Sequence, residues 1–261
     1  MHVVVCIKQV PDTSDVKINP ETNTLIREGV QSIINPFDEN ALEVALVLKD
    51  TLGAKVSVVT MGPPQAESAL RECLARGADD IILVSDRAFA GSDTLATSYT
   101  LARAIETLEK PDLILFGKQA IDGDTAQVGP GVAELLDMPI ITYLRKVEIE
   151  GDKVKVERVF EDGYEKMEVP MPAVLTVLKE ANVPRMASLK GRMKAKKAEI
   201  QTLSAAAIQA DPERTGLKGS PTKVVRIFTP PKKTGGIRID GTHPLDAARM
   251  LVEKLREQKV I

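Results

Sequence analysis

The chain has 261 residues, 43% hydrophobic and 28% charged, with a net charge of −2, so it can bury a sizeable core without disulfide or metal staples. Aromatic residues are only 3% and Trp is absent, which argues against single-stranded nucleic-acid binding by base stacking and leaves few rings to sandwich a flavin or an adenine. The 35 basic and 37 acidic side chains exclude a globally basic nucleic-acid binder, and Cys6, Cys73, His2 and His243 supply neither a disulfide framework nor a His-based metal site.

The cysteine usage points to a reducing, cytoplasmic setting. The apolar run Val3 to Ile7 is too short for a signal-peptide core, and no stretch approaches the ~18 apolar residues of a membrane span. In chain order, Val3–Ile7, Val56–Thr60, Ile81–Val84 and Leu113–Phe116 read as strands covered on both faces, because their apolar residues are continuous rather than alternating. Helical patterns lie between them. Asn35-Pro36 reads as an N-cap followed by proline at the first helical position. Ala66, Ala69, Leu70, Cys73 and Leu74 form one apolar helix face, ended by Gly77. A third helix starts near Ser92 or Asp93, and a fourth follows Asp124. Strand–helix–strand repetition implies right-handed crossovers and an α/β fold with a mainly parallel sheet flanked by helices.

After about residue 145 the pattern changes. Val154–Val156 and Lys166–Val169 alternate around a Glu161-Asp162-Gly163 turn, which predicts an added β-hairpin. Pro172–Leu178 predicts another buried strand and Val224–Phe228 a last short one, broken by Pro230-Pro231. The segment Pro184–Lys197 has no strong period and is densely basic: between 185 and 199 there are six basic residues and one acidic. It reads as a solvated surface or as a docking loop for an acidic protein partner. Pro244–Gln258 is an amphipathic helix behind a Thr234-Gly235-Gly236 linker.

In an open parallel sheet, ligands bind beyond the C-terminal strand ends, at the switch point. The loop from Gly117 to Gly131 is the richest there. Its glycines permit sharp turns and close approach, and a helix N-terminus suited to phosphate follows. Thr125 and Gln127 can donate to phosphate oxygens. Asp122 and Asp124 cannot, and are expected to cap the helix or accept from a ribose hydroxyl. The same residues also describe an ordinary βα loop with a Gly-rich turn; this is neither a P-loop nor a GxGxxG motif. Asn35, Pro36, Phe37 and Asp38 are candidates to line the same pocket, as are Met61 and Gly62. Cys6 reads first as a small apolar residue.

The segments Cys6-Ile7-Lys8-Gln9-Val10-Pro11-Asp12, Asn35-Pro36-Phe37-Asp38-Glu39, Gly117-Lys118-Gln119-Ala120-Ile121-Asp122-Gly123-Asp124, Pro184–Leu189 and Met193–Lys197, in this order and spacing, resemble the β subunit of electron-transfer flavoproteins. The resemblance covers nearly the whole chain. It implies a Rossmann-like nucleotide domain over about residues 1–229, with a protruding docking loop at about 184–197. Residues 230–261 would be a linker and a C-terminal arm that packs on an FAD-carrying α subunit. It implies cofactor contacts from Cys6, Lys8, Asn35–Asp38, Met61, Gly62 and the run Gly117 to Val128, which includes Ala120, Ile121, Gly123, Thr125, Ala126 and Gln127. Leu189 would anchor a partner flavin dehydrogenase, with Arg185, Lys190, Arg192 and Lys194 steering the encounter.

The β-subunit nucleotide of this family is either a structural AMP or, in the electron-bifurcating branch, a second FAD reduced by NADH. Where AMP-binding members carry an Asn and a Thr, this chain has Ala126 and Val128, so FAD is expected. Ferredoxin and a membrane quinone oxidoreductase are the implied acceptors. An ATP-consuming enzyme on a similar sheet would need an SGGxDS-type loop after the first strand, where Lys8–Asp12 stands instead. A nucleotide-sensing regulator of the universal-stress type leaves the basic segment and the C-terminal helix unexplained.

Overall fold

The computed structural model describes residues 1–12, 18–19, 24–25, 32–225 and 235–261. The chain forms two compact units, Met1–Arg226 and Ile227–Ile261. In the first unit β1 (His2–Cys6) is buried throughout. The short strands β2 (Gln9–Pro11), β3 (Ile18–Asn19), β4 (Thr24–Leu25) and β5 (Ser32–Ile34) then pair antiparallel, β2 with β5 and β3 with β4. Next come α1 (Pro36–Leu52), β6 (Lys55–Met61), α2 (Glu67–Arg76), β7 (Asp80–Val84), α3 (Thr94–Glu106), β8 (Leu113–Gly117) and α4 (Val128–Leu135). The unit is completed by β9 (Ile140–Glu150), β10 (Lys153–Phe160), β11 (Gly163–Pro170), β12 (Ala173–Val177), α5 (Leu189–Lys197) and β13 (Gln201–Leu203).

Nine strands form one sheet in the order β11-β10-β9-β12-β8-β1-β6-β7-β13. All pairings from β9 across to β13 are parallel, and β9, β10 and β11 continue as an antiparallel ribbon. The continuous apolar runs are explained by two cores. Val3 and Val5 of β1 pack with Leu42, Leu46 and Leu70 of α1 and α2 on one face. Val4 and Cys6 pack with Leu101, Ile105 and Val132 of α3 and α4 on the other. From β1 the chain moves outward through β6 and β7, then returns to lay β8 on the opposite side of β1. That reversal puts the switch point between the C-terminal ends of β1 and β8.

Helix signals agree with the sequence at α2, which ends at Gly77 with φ +129, and at α3, whose N-cap Asp93 accepts from the Leu95 and Ala96 amides. The hairpin of β10 and β11 is present, and β9 makes it a three-stranded ribbon. The fourth helix begins at Val128, later than the position after Asp124. The aperiodic basic segment holds a helix, α5. Its period was invisible because only Ala195 is buried, so no apolar stripe exists to read. Ser188 caps it by accepting from the Gly191 amide, and Arg71 Nη1 of α2 donates to the Ala195 and Ala198 carbonyls at 2.7 and 3.0 Å. Val224 and Val225 have no strand structure, and the rest of the strand expected over Val224–Phe228 lies outside the described residues. In the second unit α6 (Pro244–Glu257) buries none of its side chains, leaving Leu245, Met250, Leu251 and Val252 exposed. No helix among the described residues is long and apolar enough to cross a membrane.

The layer of α3 and α4 depends on a close approach at Gly131. A Cβ there would stand 2.4 Å from Ser98 Oγ and 2.9 Å from Ser98 Cβ. Gly131→Ala is expected to destabilise the fold by about 1–3 kcal/mol through overpacking, read as a lowered urea midpoint with an unchanged slope.

Candidate functional site

The switch point is organised by Asp38, in the first turn of α1. Its buried carboxylate accepts from the Lys8 amide just past β1 at 2.7 Å and from the Gly117 amide at the end of β8 at 3.0 Å. One side chain therefore spans the two strands whose loops flank the crevice. Gly117 is required by this contact: a Cβ would fall 2.3 Å from Asp38 Oδ1 and 2.6 Å from the Phe37 carbonyl carbon and Cβ. Burial, which disfavours the charged form, pushes the Asp38 pKa up to about 7, against the opposing pull of Asn35 and the two amide donors. Burial and the Asp38 charge also push up the thiol of Cys6, which closes β1 in the apolar core.

Asn35 precedes α1, but its side chain makes no cap bond. It reaches across instead: Nδ2 donates to the Gln119 carbonyl at 2.8 Å and Oδ1 accepts from the Ile121 amide at 3.0 Å. This corrects the expectation of an Asn cap. The loop after β8 offered unpaired backbone groups, and bonding them is worth more than a redundant cap on a helix whose first residue is Pro36. Asp122 and Asp124 likewise do not cap α4, which has no side-chain cap at all. Lys8 Nζ donates to both carboxylate oxygens of Asp122 at 2.7 Å, and Gln119 Nε2 donates to Asp124 Oδ1 at 2.6 Å. Asp124 and Ala126 are left-handed, with φ +49 and +53, which turns the loop into the uncapped helix start. Gln127 Oε1 accepts from Thr94 Oγ1 at 2.8 Å, joining the loop to α3.

Lys8, Asn35, Phe37, Asp38 and the stretch Gly117–Asp122 are thus brought together by direct contacts. Ile121–Thr125 are exposed, and a Cβ on Gly123 would meet nothing within 4 Å. Met61 and Gly62 lie at the end of β6 on the other side of β1, where the Gly62 amide donates to the Val84 carbonyl at 3.1 Å. A residue the sequence did not single out is Tyr143 in β9, with φ +62 beside Lys118. No local sequence signal marks it, because its conformation follows from a register shift against β12. A cavity of about 440 Å³ lined by His2, Lys55, Asp79, Asp80 and Glu109 lies at the opposite strand ends, away from these residues.

Of the expected docking residues, Leu189 is 79% exposed, and Lys190, Arg192 and Lys194 lie on the exposed side of α5. Arg185 is committed elsewhere. Its guanidinium pairs with the buried Glu43 at 2.9 Å and with Asp50 at 2.9 Å, fixing the start of the segment on α1.

Because the folded Asp38 value lies above the ordinary 3.8, its stabilising contribution is complete below that value and is lost as pH rises through about 7. The urea midpoint is expected to fall between about pH 4 and pH 7. Asp38→Asn should remove most of that slope and cost about 1–3 kcal/mol at the acid end, since its amide leaves one of the two N–H donors without an acceptor.

The chain matches the family model described as "Electron transfer flavoprotein domain" over residues 22–208. The electron transfer flavoprotein subunit beta of Thermoanaerobacterium thermosaccharolyticum is 55% identical over 262 residues, covering all of both chains. The caffeyl-CoA reductase-Etf complex subunit CarD of Acetobacterium woodii is 54% identical over 262 residues, again over both full lengths. The acryloyl-CoA reductase electron transfer subunit gamma of Anaerotignum propionicum is 46% identical over 269 residues of both full chains. With the doubly wound sheet, the crevice loops and these relatives in agreement, the chain belongs to the electron-transfer flavoprotein family, among its β subunits.

Proposed function

We propose that this β subunit holds FAD at the β1/β8 crevice of a cytoplasmic heterodimer. When bound, that cofactor would let the complex take a hydride from NADH and divide the electrons between the FAD of the α subunit and a low-potential acceptor such as ferredoxin. The observation that carries FAD rather than AMP is the loop before α4. Ala126 and Val128 bring no phosphate-donating side chains, and no side chain caps the helix. Phosphate is then left to Thr125, Gln127 and the backbone amides and partial positive charge of the helix start, a mode that tolerates a diphosphate. The carboxylates that would repel it, Asp122 and Asp124, are held by Lys8 and Gln119. Open space at Gly123 leaves room for a larger nucleotide. The residues present fit the group.

Asp38 and Asn35 would keep the two loop walls at a fixed separation whether or not a ligand is bound. The relatives named for caffeyl-CoA and acryloyl-CoA reductases support a flavin dehydrogenase of the acyl-CoA class as partner. Exposed Leu189 on α5 would be its anchor, with Lys190, Arg192 and Lys194 speeding encounter.

The test is the nucleotide content of the purified heterodimer after acid release. FAD in both subunits, no AMP and rapid bleaching on adding NADH are expected. One FAD with one AMP and no NADH response would leave an ordinary shuttle serving acyl-CoA-type dehydrogenases. Leu189→Ala is expected to weaken binding to the partner dehydrogenase by about tenfold or more without changing nucleotide content, measured by titration calorimetry.

A further inference from the structure

The ribbon of β9, β10 and β11 carries two arginines stacked on aromatic rings, and only one of them is neutralised. Arg145 lies with its guanidinium carbon 3.8 Å from the Tyr164 ring centroid, and its Nε donates to Glu157 at 2.9 Å. Arg158 lies 4.7 Å from the Phe160 ring centroid. Among the described residues it forms no ion pair and no side-chain hydrogen bond, although Glu165 stands opposite it in register. Its Nε is sealed from solvent, the single buried side-chain nitrogen or oxygen among the described residues that has no hydrogen-bond partner.

The strand places this group at the rim of the core. β10 and β11 pair in unbroken register from Lys153 with Pro170 to Phe160 with Gly163, so Val154, Val156, Arg158 and Phe160 share one face. That face is core at Val154 and Val156, half-buried at Arg158 and exposed at Phe160. Beside Arg158 the pairing of β10 with β9 shifts, an irregularity of the kind that re-aims a side chain. A guanidinium cannot shed its charge, and a ring face attracts the cation without accepting its N–H groups. A donor in this position is unfavourable until an oxygen meets it. Swinging the guanidinium off Phe160 breaks no hydrogen bond, so it is free to turn toward an incoming carboxylate, which can accept from Nε and Nη together.

The surroundings describe a protein surface. Neither the cavity of about 440 Å³ nor one of about 330 Å³ beside Leu95 and Arg214 is lined by a ribbon residue. Phe160, Tyr164 and Met167 are exposed on the ribbon, and aromatic residues, Met and Arg are the types enriched at the centres of protein interfaces. β11 is the outermost strand, at the opposite edge of the sheet from β13, which follows α5. The ribbon is therefore a different surface from the one assigned to the dehydrogenase. An unmet donor is unfavourable whenever its partner is away, which suits a permanent subunit and not a visiting one. We propose that the ribbon docks on the family's α subunit, with an Asp or Glu of that subunit accepting from Arg158 beside Phe160. The inference rests on the heterodimer and not on which nucleotide this chain holds.

Purified heterodimer carrying Arg158→Lys would be treated with a water-soluble carbodiimide, which joins an ammonium to a carboxylate in contact with it, and mapped by peptide mass spectrometry. A cross-link from position 158 to an Asp or Glu of the α subunit is expected. A link within this chain, to a second copy of it or to an added dehydrogenase, or no link at position 158, overturns the assignment. Arg158→Met, which keeps an apolar stem on Phe160 and removes the donors, should speed α-subunit exchange between tagged and untagged heterodimers ~10-fold or more, with nucleotide content unchanged. Native mass spectrometry reads that exchange, and an unaltered rate overturns the assignment as well. Should the Arg158→Met heterodimer fail to assemble, the cross-link decides. A preparation that carries AMP and ignores NADH defeats the FAD reading, and the cross-link to the α subunit is expected in it all the same.

Discussion

A single buried carboxylate joins the halves of the sheet at the place where chain direction reverses. At a switch point the loops diverge, so no strand pairing holds them, and the amides of Lys8 and Gly117 would face the crevice without a protein acceptor. Asp38 supplies both acceptors from the first turn of α1. Desolvating that carboxylate is unfavourable, and the two short bonds offset the cost only in part, which is why its proton affinity rises toward neutrality. The contact also dictates its surroundings. Gly117 must lack a side chain, because Asp38 and the carbonyl carbon and Cβ of Phe37 fill the space it would take.

The loop that follows has its carboxylates tied down, one by a cation from the β1 loop and one by a neutral amide. Asp122 and Asp124 would be poor neighbours for an anion, yet Lys8 and Gln119 hold both. This makes the ion pair between the β1 and β8 loops a positional device rather than a source of stability, since both partners are well exposed and such pairs contribute little. Asn35 does similar work with neutral groups, closing the same gap through the Gln119 carbonyl and the Ile121 amide. The left-handed turns at Asp124 and Ala126 then aim the chain into a helix with no side-chain cap.

The sheet was legible because period and burial are coupled. Val3–Ile7 and Leu113–Phe116 are apolar at every position only if both faces are covered, and both are. Asp93 and Gly77 act as read, since cap chemistry is local. Asn35 was read correctly in place but not in role, because its partners are more than eighty residues away along the chain. The loop Gly117–Val128 could be found from composition, but which carboxylate meets which cation depends on how loops from two strands approach. Tyr143 and α5 were hidden for related reasons. A bulge has no local motif, and a helix held by backbone acceptors for Arg71 and by one buried alanine has no apolar stripe.

The mounting of α5 has a consequence for any surface that would be laid against it. Arg71 grips its last carbonyls, Arg185 is locked to Glu43 and Asp50, and Gly191 passes so close to the Ala75 carbonyl that a Cβ would lie 2.0 Å from it. Above this rigid base Met186, Leu189 and Met193 are 83%, 79% and 61% exposed. Thioethers re-form against surfaces of different outline with little strain. A fixed platform bearing deformable tips avoids ordering the backbone at each encounter, yet grips through few atoms. If α5 is where a partner docks, as proposed above, such contacts would release quickly, and one carrier would visit successive partners instead of being captured by the first.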